Sequence, residues 1–84
     1  MCTYVTTRAA VEGSVLIDGE WQPADRAVVY FDHPQDAKLA HALCIDVWAA
    51  GGRVAVELDG ASARRLAESI LATLEDDEVK VLLG

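Results

Sequence analysis

The chain has 84 residues, of which 52% are hydrophobic and 6% aromatic, and its formal net charge is -7. This length allows one domain with a small core, so we expect a second copy to cover part of the apolar surface in a homodimer. Seven scattered basic residues against fourteen acidic ones form no clustered basic surface for nucleic acid or an anionic membrane. A cationic or neutral small molecule, a peptide or a metal ion is compatible with this charge.

The sequence contains no apolar run near the roughly 20 residues of a membrane span. Its N-terminus lacks the basic region and the apolar stretch of a signal peptide. The two cysteines, Cys2 and Cys44, are therefore expected to be free thiols in a cytoplasmic protein.

The N-terminal part of the chain predicts strands joined by a tight turn. Residues 2–11 are rich in β-branched side chains and predict the first strand. Asp18-Gly19 lies between two short extended runs and is typical of a type I′ hairpin, in which both turn positions need positive φ. Pro23 then either ends the ladder or confines it to a sheet edge, because proline has no N–H to donate.

The middle of the chain predicts a central strand and then a hairpin. Residues 26–31 are apolar on both faces, which is typical of a central strand, and residues 32–39 form a polar loop. Folding residues 41–58 at residues 49–52 collects six apolar side chains on one face, called the apolar face: Leu43, Ile45 and Val47 opposite Leu58, Val56 and Val54. The opposite face, called the polar face, carries the remaining side chains: Cys44, Asp46 and Trp48 opposite Glu57, Ala55 and Arg53. A slip of one residue would exchange the two faces, so the pattern strongly favours this register.

Residues 59–77 predict an amphipathic helix with Asp59 as its N-cap. Its apolar positions form one stripe, called the α1 stripe: Ala63, Leu66, Ala67, Ile70, Leu71 and Leu74. The acidic run at residues 75–78 lies where the helix dipole disfavours negative charge, so fraying is expected there. Residues 79–84 alternate like a short strand that packs on the sheet or pairs with a second subunit.

These elements predict a single α+β domain over residues 1–84. Its antiparallel sheet has four to five strands, with one C-terminal helix packed on the apolar face. The polar face has no second helix to cover it and is expected to be open.

Several motifs together resemble a family of short bacterial proteins of unknown function. They are Cys2-Thr3-Tyr4, Asp32-His33-Pro34, His41, and "RVAVEL" at residues 53–58 before an Ala/Ser-rich helix. The resemblance extends over nearly the whole chain. Such proteins are often met beside genes for specialised metabolites, so it implies a pathway of that kind, but it transfers no catalytic residue. The family pattern implies a polar residue such as Asn at the position of Cys44.

The candidate reactive residues are Cys2, His33, His41 and Asp32. A thiol beside an imidazole oriented by a carboxylate is the arrangement of a Cys–His nucleophile. The same cysteine and histidines, with Asp32 or Asp36, would also supply enough ligands for a metal ion, although no short ligand spacing supports such a site. The alternatives are purely structural roles. Cys2 would pack as a small apolar residue, His33 would fix the loop by a hydrogen bond, and His41 would be partly buried and bonded to the backbone.

The candidate ligand-binding residues lie on the polar face: Tyr30, Cys44, Asp46, Trp48, Arg53 and Glu57. A carboxyl group beside Trp48 would have a raised pKa and could act as an acid or base. The alternative is a solvated face on which Arg53 pairs with Asp46 or Glu57.

The sequence therefore predicts a cytoplasmic accessory or binding protein of a specialised-metabolite pathway, which holds a small molecule on the polar face or at a dimer seam. No cofactor is expected. The alternatives are a small cofactor-free enzyme for acid/base or Cys-assisted cyclisation or isomerisation, which uses Cys2, His33 and His41, and a metal-binding protein that uses the same residues.

Overall fold

The protein is an α+β domain, as predicted, and its computed structural model describes residues 5–33 and 41–84. Over these residues the elements follow in the order β1 (Val5–Ile17), β2 (Glu20–Asp32), β3 (Ala42–Ala49), β4 (Gly52–Leu58), α1 (Gly60–Glu75) and α2 (Asp77–Leu83). The four described strands form one antiparallel sheet in the order β1-β2-β3-β4. None of the helices in this part of the chain has the length and apolar character needed to cross a membrane.

The β1–β2 hairpin turns at Asp18 and Gly19, which have φ values of 50° and 79°, as the type I′ prediction requires. The predicted end of the first strand at residue 11 is wrong, because β1 continues through an irregularity to Ile17. Pro23 does not end β2. It pairs with Ser14 of β1, and pairing of β2 with β3 begins only at Ala24, so the proline lies where β2 is still a sheet edge.

The β3–β4 hairpin has the predicted register. The three apolar pairs are confirmed: Leu43 with Leu58, Ile45 with Val56, and Val47 with Val54. The same hydrogen-bonded ladder places Cys44 opposite Glu57 and Trp48 opposite Arg53. Directly opposed side chains share a face of a sheet, so both faces have the predicted composition.

The burial of the two faces differs from the prediction. Cys44 and Asp46 on the polar face are only 2% and 7% exposed, whereas Val54 and Val56 on the apolar face are 37% and 41% exposed. The expectation of an open polar face is therefore wrong at its centre. Residues of β1 and β4 lie within 8 Å of each other between Cα atoms, although two strands separate them in the sheet. The sheet is thus strongly curled, and the burial of Cys44 and Asp46 identifies the polar face as its concave side.

Helix α1 begins at the predicted cap. The Asp59 side chain accepts a hydrogen bond from the Ser62 backbone N–H at 2.6 Å, and bonding to Ser62 lowers the pKa of Asp59. The helix meets the sheet beside Phe31 and Leu43, and none of its residues is buried. The α1 stripe therefore covers only one end of the apolar face.

The predicted C-terminal strand is wrong, because residues 77–83 form the helix α2. The backbone breaks at Asp76, whose side chain caps α2 by accepting a bond from the Glu78 N–H at 3.0 Å. Asp77 and Glu78 consequently occupy the first turn of a helix, where the dipole favours negative charge. Glu75 thus ends α1, while the rest of the acidic run, residues 76–78, caps and begins a new helix.

Candidate functional site

A buried carboxylate lies at the centre of the polar face. Asp46, on β3, forms an ion pair with Arg53 Nη1 at 2.8 Å across the β3–β4 hairpin. The Tyr30 hydroxyl, from β2, donates to Asp46 Oδ1 at 3.2 Å. Neighbouring strands therefore deliver a cation and a hydroxyl donor to one carboxylate, which offsets the cost of removing its charge from water.

Burial also raises the pKa of the two weak acids beside Asp46. For Tyr30 the desolvation is reinforced by the negative charge of Asp46. For Cys44 burial acts together with the negative charges of Glu57, Asp32 and Asp46. Both groups are therefore protonated at neutral pH, and the Cys44 thiol is a poor nucleophile because the reactive species is the thiolate.

Cys44 is expected to resist alkylation in the folded protein. The rate with iodoacetamide at neutral pH should be lower than in the urea-unfolded chain by a factor of about 100 or more, since both burial and protonation oppose reaction. Peptide mass spectrometry over a time course measures this rate, with Cys44→Ala identifying the modified peptide. Equal rates in folded and unfolded chains would contradict the conclusion that the Cys44 thiol is inert.

A shallow recess lies at the rim of the polar face, next to the β3–β4 turn. Its volume is about 400 Å³ and it is lined by Pro23, Asp25, Arg26, Trp48, Ala49 and Ala50. The guanidinium of Arg26 lies over the Trp48 ring at 4.8 Å, and that of Arg53 at 5.8 Å, so two cations lie beside one indole. Sequence reasoning missed Asp25 and Arg26, because only the pairing of β2 with β3 brings them to Trp48.

The two histidines converge, as the reactive interpretation requires. The His33 and His41 rings are 4.6 Å apart between centroids, and His41 also stacks on Phe31 at 5.7 Å. Asp32, which is 1% exposed, accepts a hydrogen bond from the His33 backbone N–H at 2.6 Å. Cys2 and Asp36 lie outside the described residues. Among residues 5–33 and 41–84, no group of three or more His, Cys, Asp and Glu side chains is arranged to hold a metal ion.

An apolar cleft of about 530 Å³ separates α1 from the sheet. Phe31 and Leu43 line it from the sheet, and Ala63, Ala67 and Leu71 line it from the helix. Because Phe31 stacks on His41, the cleft ends beside the histidine pair. An apolar group can therefore lie next to two imidazoles at this end of the domain.

Comparison with known proteins places the chain in a family but assigns no activity. No curated protein matches the sequence, and no solved structure matches it either. A family profile matches residues 1–82, nearly the whole chain, in agreement with the resemblance to short proteins of unknown function. The protein belongs to the family of unknown function DUF6295.

Proposed function

We propose that this chain is a small homodimeric binding or accessory protein of the cytoplasm, which serves a specialised-metabolite pathway and holds a small molecule on its polar face. The observation that carries the proposal is the separation of the two faces. Apolar side chains that lack cover lie on one side of the sheet, and the polar residues and the recess lie on the other. One face is therefore suited to a second copy and the other to a ligand.

The total accessible surface of the chain is larger than that of a compact monomer of its size. The accessible surface is 6435 Å², whereas a compact monomer of 9.0 kDa exposes roughly 4,900 Å². The excess of about 1,500 Å² exceeds the ~800 Å² that each partner buries in a stable complex. The radius of gyration of 14.6 Å, against about 12 Å for a compact chain of this length, indicates the same openness.

The two uncovered apolar surfaces are suited to each other. Leu66, Ile70 and Leu74 of the α1 stripe are 42%, 53% and 44% exposed, and Val54 and Val56 are available on the apolar face. In a two-fold dimer, the α1 stripe of each copy covers the apolar face of the other. The two-fold axis therefore forms the same contact twice and buries both surfaces in both copies. Val81 and Leu82 of α2 are 80% and 84% exposed and add further apolar surface.

A native mass spectrum of freshly purified, untagged protein, made without chelator, tests this proposal. We expect a species of twice 9.0 kDa at micromolar concentration, because the exposed apolar side chains of the α1 stripe and the apolar face favour association. A monomer at that concentration would contradict the dimer. A bound metal that is lost in His33→Ala would replace the binding role with the metal-binding alternative.

A second candidate is the cofactor-free enzyme with Cys2, His33 and His41, and the observation that favours it is the 4.6 Å separation of the two imidazoles beside Asp32. Two imidazoles in contact suit acid/base exchange, because one can donate a proton while the other accepts one. Loss of biological activity in both His33→Ala and His41→Ala, with folding retained, would favour this enzyme. Loss of biological activity in Trp48→Ala alone would favour the binding protein.

A further inference from the structure

Asp25 and Arg26 are consecutive residues of β2, yet both line the recess beside Trp48. Successive residues of a regular strand point to opposite faces of the sheet. Here the register with β3 shifts between the pairs Ala24–Ala49 and Arg26–Trp48, which leaves Asp25 without a partner residue on β3. Such a bulge bends the strand and re-aims its side chains, and this places opposite charges together at one recess.

The two charges are available to a ligand. Neither Asp25 nor Arg26 takes part in the ion pairs seen among the described residues, such as Arg53 with Asp46 and Lys80 with Glu75. Both side chains belong to exposed residues. The Arg26 guanidinium carbon lies 4.8 Å from the centroid of the Trp48 ring, and a guanidinium held by a cation–π contact keeps N–H donors for an acceptor.

The remainder of the recess is apolar. Pro23, Ala49 and Ala50 surround the indole of Trp48, and the volume of about 400 Å³ lies within the range of small-molecule sites. A ligand complementary to this recess carries an anion and a cation a few ångströms apart, and next to them an apolar group. Its zero net charge also avoids repulsion by a protein of net charge -7.

We propose that the recess binds a zwitterion of the α-amino-acid class, whose carboxylate accepts hydrogen bonds from Arg26 and whose ammonium donates to Asp25. Its apolar side group contacts Trp48 and Ala49. This inference rests on the proposed binding role and adds the ligand class to it. Arg–carboxylate bonds of this type can be bidentate, which gives them directional specificity as well as strength.

Isothermal titration calorimetry of the full chain tests the proposal with three probes of similar size. L-Phenylalanine has both charges, L-phenylalaninamide lacks the carboxylate, and 3-phenylpropanoate lacks the ammonium. We expect the affinity for L-phenylalanine to exceed each of the others by about tenfold, because each partial probe loses one charge-assisted contact.

Two variants assign the contacts. Arg26→Gln should remove the preference for L-phenylalanine over its amide, and Asp25→Asn should remove its preference over 3-phenylpropanoate. The matched controls are Arg64→Gln on α1 and Asp18→Asn at the hairpin turn, where asparagine also accepts positive φ. Both controls should bind all three probes as the wild type does.

Equal affinities for the three probes would contradict recognition of a zwitterion and would show that the recess binds only the apolar group. No binding of any probe would overturn the inference as well. The oligomeric state is measured separately on the same sample, so a dimer that binds no probe contradicts only the ligand site, and a monomer that binds L-phenylalanine contradicts only the dimer.

Discussion

Replacing Ile70 with glutamate is expected to dissociate the proposed dimer. Ile70 lies in the middle of the α1 stripe and is 53% exposed within one copy, so a carboxylate there costs an isolated protomer little. In the dimer the same carboxylate would be buried against the apolar face without a partner charge. We expect the dimer dissociation constant to rise by about 100-fold or more, which corresponds to roughly 3 kcal/mol.

The matched control is Ala72→Glu on the same helix. Ala72 lies two residues beyond Ile70 and therefore on the opposite side of α1, where it is exposed. Sedimentation equilibrium of both variants measures the dissociation constants, and circular dichroism verifies that each retains its helix. Equal effects of the two substitutions would contradict an interface formed by the α1 stripe, even if the wild type were dimeric.

The second large effect is expected from Arg53→Met, which removes the cation paired with Asp46. The Asp46 side chain is only 10% exposed, so its carboxylate would be left with the Tyr30 hydroxyl as its hydrogen-bond donor and with no paired cation. Removing one partner of a fully buried pair costs about 3–5 kcal/mol. Because the Arg53 side chain is 46% exposed, we expect the free energy of unfolding to fall by about 2 kcal/mol.

Lys80→Met is the control for this loss. It breaks the ion pair with Glu75, in which the two side chains are 58% and 73% exposed, and should cost less than ~0.5 kcal/mol. Urea denaturation measures both variants. The double variant Arg53→Met/Asp46→Asn should recover part of the stability, because it also removes the buried charge. Similar decreases in the free energy of unfolding for Arg53→Met and Lys80→Met would show that Asp46 is not stabilised by its ion pair.

Local patterns in the sequence determined those elements whose residues interact with close neighbours along the chain. The period-two alternation of Leu43, Ile45 and Val47 with Val54, Val56 and Leu58 allows one register, because a slip would exchange the two faces. Asp18-Gly19 supplies the positive φ of the first turn, and Asp59 supplies a cap for α1. The sequence placed His33 and His41 on either side of one loop, and the structure brings their rings to 4.6 Å.

Tertiary structure decided which face of the sheet is buried and which charges meet. The curl that brings β1 near β4 depends on the twist of long strands and on bulges, so alternation alone favoured the wrong face for burial. The approach of Asp25 and Arg26 to Trp48 depends on an extra residue in β2, which has no local signature. The sequence also did not predict helix α2. The acidic residues 75–78 are compatible with the end of one helix or with the start of another, and only the backbone break at Asp76 distinguishes the two.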